Sequence, residues 1–457
     1  MIRTHVIPCN LSKTKDSQQF FAAGAWRPST LHSFSWIPQK TEPKMVAVEL
    51  CCGMGGISIG LRSLGFRTVG AYDSWDRAVK IYNHNAPEPV AVQCDLLDDA
   101  GYKRVVSECR KIGGIDLLAA GPPCKGFSQL VNGKHHMPNP HNRVLEVIPE
   151  YVAALKPERV LIENVPNLIR HAKGQTFADF IRRLQAPGPK CLKYYVSYQI
   201  YDAALFGTPQ ARKRLLILAV KDSSEQLPSP GPNLSSLYTA IRRNGRISSL
   251  LQKYMNILQD DWDARIVSAR QALSDIPSLD PGVEEIPRPY ASEPKSAFQQ
   301  IMRVGSPKMK MLENTKTPAV RTETLERLRH IPPGGNVCDI PEKYLNGLSR
   351  RFGSAYRRLH PDAPATTLST KYDCVYHFAF HRSLSVREYA RIQGIPDFVT
   401  FPDKLANRCN AYEMIGNSVP PLLVRAVIGN VLACGNRDSV IEIGSSSPAN
   451  KLSNENY

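Results

Sequence analysis

The sequence contains no apolar run approaching the roughly 18 residues that a membrane-spanning helix needs, so a membrane protein is not expected. Its first 44 residues have no apolar stretch between a basic head and a small-residue cleavage site, and no secretory signal is therefore read there. The expectation is a cytoplasmic protein. Cys-x-x-Cys spacing is missing as well, and the 11 cysteines are an odd number that includes the adjacent pair Cys51-Cys52. Reduced thiols are expected rather than a disulfide framework or a zinc site. His377-x-x-x-His381 has no cysteine or carboxylate pattern beside it, so no metal is expected. Acidic residues are also scarce: 41 Asp and Glu stand against 58 Lys and Arg, leaving a formal charge of +17. Such a surplus is the electrostatic footprint of nucleic-acid binding, although basic character alone is a weak sign. Residues 221–352 carry a net of only +4, so most of the surplus lies outside them.

A chain of 457 residues exceeds what one hydrophobic core usually supports, and at least two domains are expected. From Met45 onward, short apolar runs at 45–50, 66–71, 115–120, 159–163 and 214–220 have the length of buried strands. Stretches at 56–64, 75–85 and 175–184 between them have helical spacing. That alternation predicts an α/β domain with a mostly parallel sheet covered on both faces. The alternation stops at about residue 221. From there to 352 the chain is rich in loop signals, such as Pro-Ser-Pro-Gly-Pro at 228–232, and reads as a smaller irregular domain inserted into the sheet domain. Helical patterns return at 385–393 and 422–432. The first part of the sheet domain is thus placed at 45–220 and its closing part at 353–432. The polar ends, 1–44 and 433–457, are expected to be loosely ordered.

Glu49-Leu-Cys-Cys-Gly53-Met-Gly55-Gly56 follows the first strand and opens a helix, the position at which an open sheet binds nucleotide-like ligands. A tight strand-to-helix turn would also explain its glycines. Asp73 at the end of the second strand can accept both hydroxyls of a ribose, and Asp95 after the third can accept from an adenine amino group. A ligand with ribose and adenine but no obligatory phosphate fits these positions, as S-adenosylmethionine does.

Ala120-Gly-Pro-Pro-Cys124-Lys125 follows the fourth strand, so Cys124 is expected at the same strand-end edge as the glycine loop. Two prolines stiffen the approach, and the adjacent lysine favours a reactive thiolate over an inert buried thiol. Glu163-Asn164-Val165 ends the fifth strand, where a carboxylate is either structurally paired or catalytic. Gln210-Ala-Arg212-Lys-Arg214 places two arginines one residue apart, expected on one face, where they could brace a carboxylate or grip a phosphate.

Together with Arg358-Leu-His-Pro-Asp362-Ala-Pro364-Ala-Thr-Thr367-Leu, Arg387-Glu-Tyr-Ala-Arg-Ile-Gln-Gly394 and Gly416-Asn417-Ser418-Val-Pro-Pro421, these ordered motifs resemble the DNA (cytosine-5)-methyltransferases of bacterial restriction-modification systems. The resemblance covers about residues 45–432. It implies a Rossmann-like S-adenosylmethionine-dependent methyltransferase domain with an inserted target-recognition domain at 221–352. Glu49, Gly53, Gly55, Gly56, Asp73, Asp95, Asn417 and Ser418 would surround the cofactor, and Cys124, Glu163, Arg212 and Arg214 would line the chemistry. Double-stranded DNA would be the substrate of a monomeric enzyme, and a cognate restriction endonuclease would be its functional partner. Three positions depart from the pattern: Cys51 stands where phenylalanine is common, Lys125 where glutamine is usual, and Ser74 where a larger apolar residue is typical. The family's tRNA-methylating relatives carry a Cys-Phe-Thr triplet in the recognition region, which this sequence lacks. A degenerate DNA-binding protein would not be expected to keep Cys124, Glu163 and Asn417.

Overall fold

The computed structural model describes residues 35–36, 45–123, 143–188, 192–223, 226–228, 266–277, 286–304, 311–349 and 355–435. Cys124 and Lys125 lie outside them. The chain runs β1 (Met45–Leu50), α1 (Gly56–Arg62), β2 (Phe66–Asp73), α2 (Asp76–Asn85), β3 (Ala91–Gln93), α3 (Asp99–Arg110), β4 (Leu117–Ala120), α4 (Arg143–Leu155), β5 (Arg159–Asn164), α5 (Gln175–Gln185), β6 (Tyr194–Asp202), β7 (Gln210–Ala211) and β8 (Lys213–Lys221). Seven strands form one sheet in the order β3-β2-β1-β4-β5-β8-β6, with β8 antiparallel to both of its neighbours. The other pairings in the sheet are parallel.

Period-two alternation sorts the strand side chains between two cores. Val48, Leu50, Leu118, Val160, Ile162, Leu215 and Ile217 meet the apolar faces of α3, α4 and α5. Ala47, Leu117, Leu161, Leu216 and Leu218 meet α1 and a late helix at Pro421–Gly435. Burial on both faces explains why these strands are continuous apolar runs.

Beyond the sheet the chain forms α6 (Ala269–Leu273), α7 (Ala297–Arg303), α8 (Thr322–Arg329), α9 (Val386–Ile392), α10 (Arg408–Asn417) and α11 (Pro421–Gly435). The stretch Arg408–Ala433 is long and apolar enough by composition to cross a membrane, yet 67% of its most apolar window is buried inside the protein. It comprises α10 and α11, and α11 packs along α1. A Cβ on Gly60 would stand 2.6 Å from the Pro421 carbonyl oxygen, so only glycine allows the two helices this approach.

A third core joins Val267, Leu273, Phe298, Met302 and Leu312 to Leu384, Tyr389, Phe401, Tyr412 and Leu422. The described pieces of 221–352 thus pack directly on the closing segment. Trp36 belongs to the same core, fully buried, with its indole N–H on the Ile301 carbonyl at 2.8 Å. This corrects the expectation of loose order for the leading segment at that residue, because a buried indole with a satisfied N–H is an anchor.

Candidate active site

The chain leaves β1 toward β2 and β3, then crosses to β4 on the other side, so the carboxyl ends of β1 and β4 mark the switch point at which an open sheet has its ligand crevice. The glycine loop lies there. Cys51, Gly53 and Gly55 all have positive φ, at 53°, 52° and 94°. A Cβ on Gly55 would meet the Tyr82 ring at 2.8 Å, and one on Gly56 would meet Ser418 Oγ at 2.1 Å. Gly53 differs, since among the described residues a Cβ there would find nothing within 4 Å: the loop backbone faces open space.

Asp73 holds this loop with both carboxylate oxygens, accepting the Gly53 N–H and the Trp75 N–H at 2.8 Å each. Burial holds its carboxyl above the ordinary aspartate range. Asp95 is exposed and accepts one backbone N–H, from Leu97 at 2.9 Å. Glu49 is fully buried and turned beneath α1, where the Ser58 hydroxyl donates to it and the Tyr82 hydroxyl donates to Ser58 at 2.7 Å. Desolvation raises the Glu49 carboxyl to about 8.

Glu163 ends β5 on the other side of the crevice. Arg214, near the start of the antiparallel neighbour β8, reaches it through Nε to Oε1 at 2.7 Å, both side chains being about nine-tenths buried. Desolvation outweighs the opposing Arg214 and Arg212 charges and holds the carboxyl above its usual value. Next to it, the Asn164 amide donates to the Pro122 carbonyl at 3.4 Å and its oxygen accepts the Val165 N–H at 2.9 Å. Asn164 thereby ties the end of β5 to the two-proline entry into the segment that carries Cys124.

The two arginines divide their contacts. Both act electrostatically on Glu163, as their shared face suggested, but Arg212 lies in the break between β7 and β8 and is almost fully buried. Its guanidinium donates to the carbonyls of Gly416 at 2.7 Å and of Leu368 and Ser418 at 3.4 Å. Gln210 extends the clasp, giving hydrogen bonds to Gln393 Oε1 at 2.6 Å and the Ile392 carbonyl at 3.3 Å, and receiving the Leu368 N–H at 2.9 Å. Gln393 in turn donates to the Ser418 carbonyl. The Gly416-Asn417-Ser418 turn is thereby pinned so that Ser418 meets Gly56, while the Asn417 side chain is exposed.

The profile of C-5 cytosine-specific DNA methylases matches residues 45–433. The chain belongs to that family. Its enzyme class is DNA (cytosine-5)-methyltransferase. The Type II methyltransferase M.AgeI of Thalassovita gelatinovora is 28% identical over 442 residues, covering 84% of this chain and 98% of the relative. M1.HphI of Haemophilus parahaemolyticus is 26% identical, covering 84% and 86%. The fold is shared with a prophage-encoded E. coli protein assigned as a DNA modification methyltransferase, at a TM-score of 0.62 and 20% identity, over 86% of this chain and all of that one.

Several residues of this methylase that organise the site and its surroundings had no role assigned to them from the sequence. Gln210 and Gln393 stood in motifs without a role, because their contact joins positions 183 residues apart. Asn164 was likewise a motif letter until its bond to Pro122 was visible. Arg391 is fully buried between Asp397, at 2.6 Å, and Asp275, at 3.1 Å. His377 is buried as well. Desolvation lowers it to about 4, and its Nδ1 accepts the N–H groups of Ala379 and Phe380.

Proposed function

We propose that this methylase uses S-adenosylmethionine to methylate carbon 5 of a cytosine flipped out of a specific duplex DNA sequence, and so protects that sequence from a cognate endonuclease. The observation that carries the reading is the Glu163–Arg214 pair, buried at the end of β5 beside the strand-end loop that leads through Pro122 to Cys124.

The crevice residues fit the cofactor. Among the described residues Gly53 leaves open space above the loop, Asp73 at the end of β2 would hold the ribose, and the exposed Asp95 would accept from the adenine amino group. When bound, the cofactor supplies an electrophilic methyl group. The protein must make a poor nucleophile, cytosine carbon 5, electron-rich. The Cys124 thiolate forms a bond to carbon 6 while Glu163 donates a proton or hydrogen bond to ring nitrogen 3, so the electron pair from the 5,6 double bond becomes available at carbon 5. A carboxyl held above its ordinary value by burial suits that donation. After methyl transfer the carbon-5 proton leaves, and the returning electron pair expels the thiolate. Arg214 fixes the orientation of Glu163, and Arg212 fixes the turn that presents Ser418 to the loop. A stacked base cannot present these atoms, so it must be flipped into the crevice. Residues 221–352 select the sequence, and dispersed Lys and Arg hold phosphates.

The test is a duplex carrying 5-fluorocytosine at the recognised position. Fluorine cannot leave as a cation, so wild-type protein should remain joined to the DNA in the presence of S-adenosylmethionine, giving an adduct on denaturing electrophoresis. Cys124→Ala should give none, and Glu163→Gln should form it slowly. Methylation of ordinary duplex without trapping on the fluorinated one would remove Cys124 from the mechanism.

A further inference from the structure

Between the Arg358–Leu368 motif and α9 the chain makes a small, closed loop. Tyr376 and Ser383 form an isolated antiparallel bridge, and the His377 N–H donates to the Arg382 carbonyl at 2.9 Å. Inside the loop, His377 Nδ1 accepts the Ala379 N–H at 3.0 Å and the Phe380 N–H at 3.3 Å. Beneath it, Arg382 donates two bonds to Glu388, at 2.7 and 2.9 Å, both side chains being almost fully buried. The backbone of this loop is therefore held at both ends and from inside.

What this rigid base presents is an aromatic tip. Phe380 is 43% exposed, with its ring 4.8 Å from the His377 ring and 5.2 Å from the Arg382 guanidinium. His381 beside it is also exposed. The surroundings are cationic: burial lowers the basicity of His381, and the charges of Arg358 and Arg329 lower it further. Arg270 lies 5.9 Å over the Phe378 ring. Arg270 and Arg329 are held by Asp362 and Glu326 in exposed ion pairs, a kind of pairing worth little in water and replaceable by a phosphate. An apolar ring fixed in solvent among guanidinium groups is suited to a polyanion with aromatic or sugar faces, since the ring can stack or wedge while the cations take phosphates.

We propose that the 377–382 loop is a DNA-contacting element of this methylase, with Phe380 as its apolar tip and with Arg270, Arg329 and His381 facing the phosphates. It lies outside residues 221–352, so the DNA surface extends into the closing segment. This rests on duplex DNA being the substrate.

The test compares full-length wild type, Phe380→Ala and Phe380→Tyr for affinity to a fluorescein-labelled duplex, for KM toward DNA and toward S-adenosylmethionine, and for Tm. Phe380→Ala should bind the duplex about tenfold more weakly and raise KM for DNA in proportion, with KM for S-adenosylmethionine and Tm unchanged. Phe380→Tyr should restore affinity to within about threefold of wild type. Unchanged DNA affinity in Phe380→Ala, or a loss that follows a fall in Tm, would overturn the proposal. If wild type transfers no methyl group to duplex DNA, the proposed function fails instead, and the two failures are told apart by the wild-type assay alone.

Discussion

Arg214 contacts the Glu163 carboxylate across the joint of two antiparallel strands, at 2.7 Å, yet the carboxyl stays above its ordinary value because burial outweighs the ion pair. A group balanced in this way responds to the loss of its partner. In Arg214→Met the larger of the two charges that lower Glu163 is gone, so the limb of the pH profile that reports Glu163 should move to higher pH. The rate constant for methyl transfer should fall by about tenfold or more, bounded by the roughly 10²–10⁴-fold that general-acid catalysis contributes. The profile of kcat/KM against pH is the measurement, and an unmoved limb would argue that Glu163 does not titrate in the reaction.

Arg212→Met should behave differently, because Arg212, besides acting electrostatically on Glu163, donates to three carbonyls in a buried joint. Leaving those carbonyls without donors should cost about 2–4 kcal/mol of stability. Thermal unfolding should show this loss in Arg212→Met and little of it in Arg214→Met. Equal Tm values for the two variants would contradict the division of labour.

Gly56→Ala would drive a methyl group to 2.1 Å from Ser418 Oγ and 2.5 Å from the Val419 carbonyl oxygen, and the second of these is backbone that cannot rotate away. The expected cost is about 1–3 kcal/mol, the usual range for overpacking. Gly53→Ala meets no neighbour among the described residues, so its cost should be the smaller one of placing alanine at positive φ, about 1 kcal/mol. Parallel denaturant titrations measure both.

Glu49 supplies a pH test with a definite sign. Its folded value, about 8, lies above the ordinary glutamate value of about 4.5, so the folded protein binds a proton that the unfolded chain releases. The stability it contributes is complete below about pH 4.5 and is lost as the pH rises toward 8. Glu49→Gln removes that dependence, so wild type should lose stability relative to the variant across this window, by at most about 5 kcal/mol. Parallel Tm curves between pH 5 and pH 8 would mean that Glu49 is ionised in the fold.

Asp95→Ala should weaken S-adenosylmethionine binding by about tenfold. That is the low end for a charge-assisted hydrogen bond, because Asp95 is exposed to competing water. Calorimetric titration reads it directly. Unchanged affinity would place the adenine elsewhere.

The strands buried on both faces were readable in the sequence, since β1, β4, β5 and β8 are plain apolar runs. β6 was not: it is an edge strand whose Tyr195, Tyr198 and Ile200 are exposed, so it offers no continuous apolar signal. The helix α4 carries Pro149 inside it, a residue that sequence patterns treat as a stop. At the site, residue types and their strand-end placement were legible for Asp73, Asp95 and Glu163, because strand order follows from alternation. Which partner each would take was not. Arg212 and Arg214 look equivalent at a spacing of two, and only the fold sends one to a carboxylate and the other to a turn some 200 residues later.

The buried Arg391 bears on how specificity could be transplanted. Its guanidinium is shared between Asp397 on its own side and Asp275, which lies inside the segment proposed to read DNA and is also held by Arg303 at 2.7 Å. A graft replacing all of 221–352 brings whatever the donor carries at position 275 against a cation sealed from water. Without a carboxylate there, the cation loses one of its two carboxylate partners, and half-paired buried charges of this kind cost about 3–5 kcal/mol. Such a hybrid would fail as a misfitted joint while its reading surface remained intact. A seam placed after Arg303 keeps Asp275, Arg303 and Arg391 native to one another, so that any change in the methylated sequence reports on the grafted residues alone.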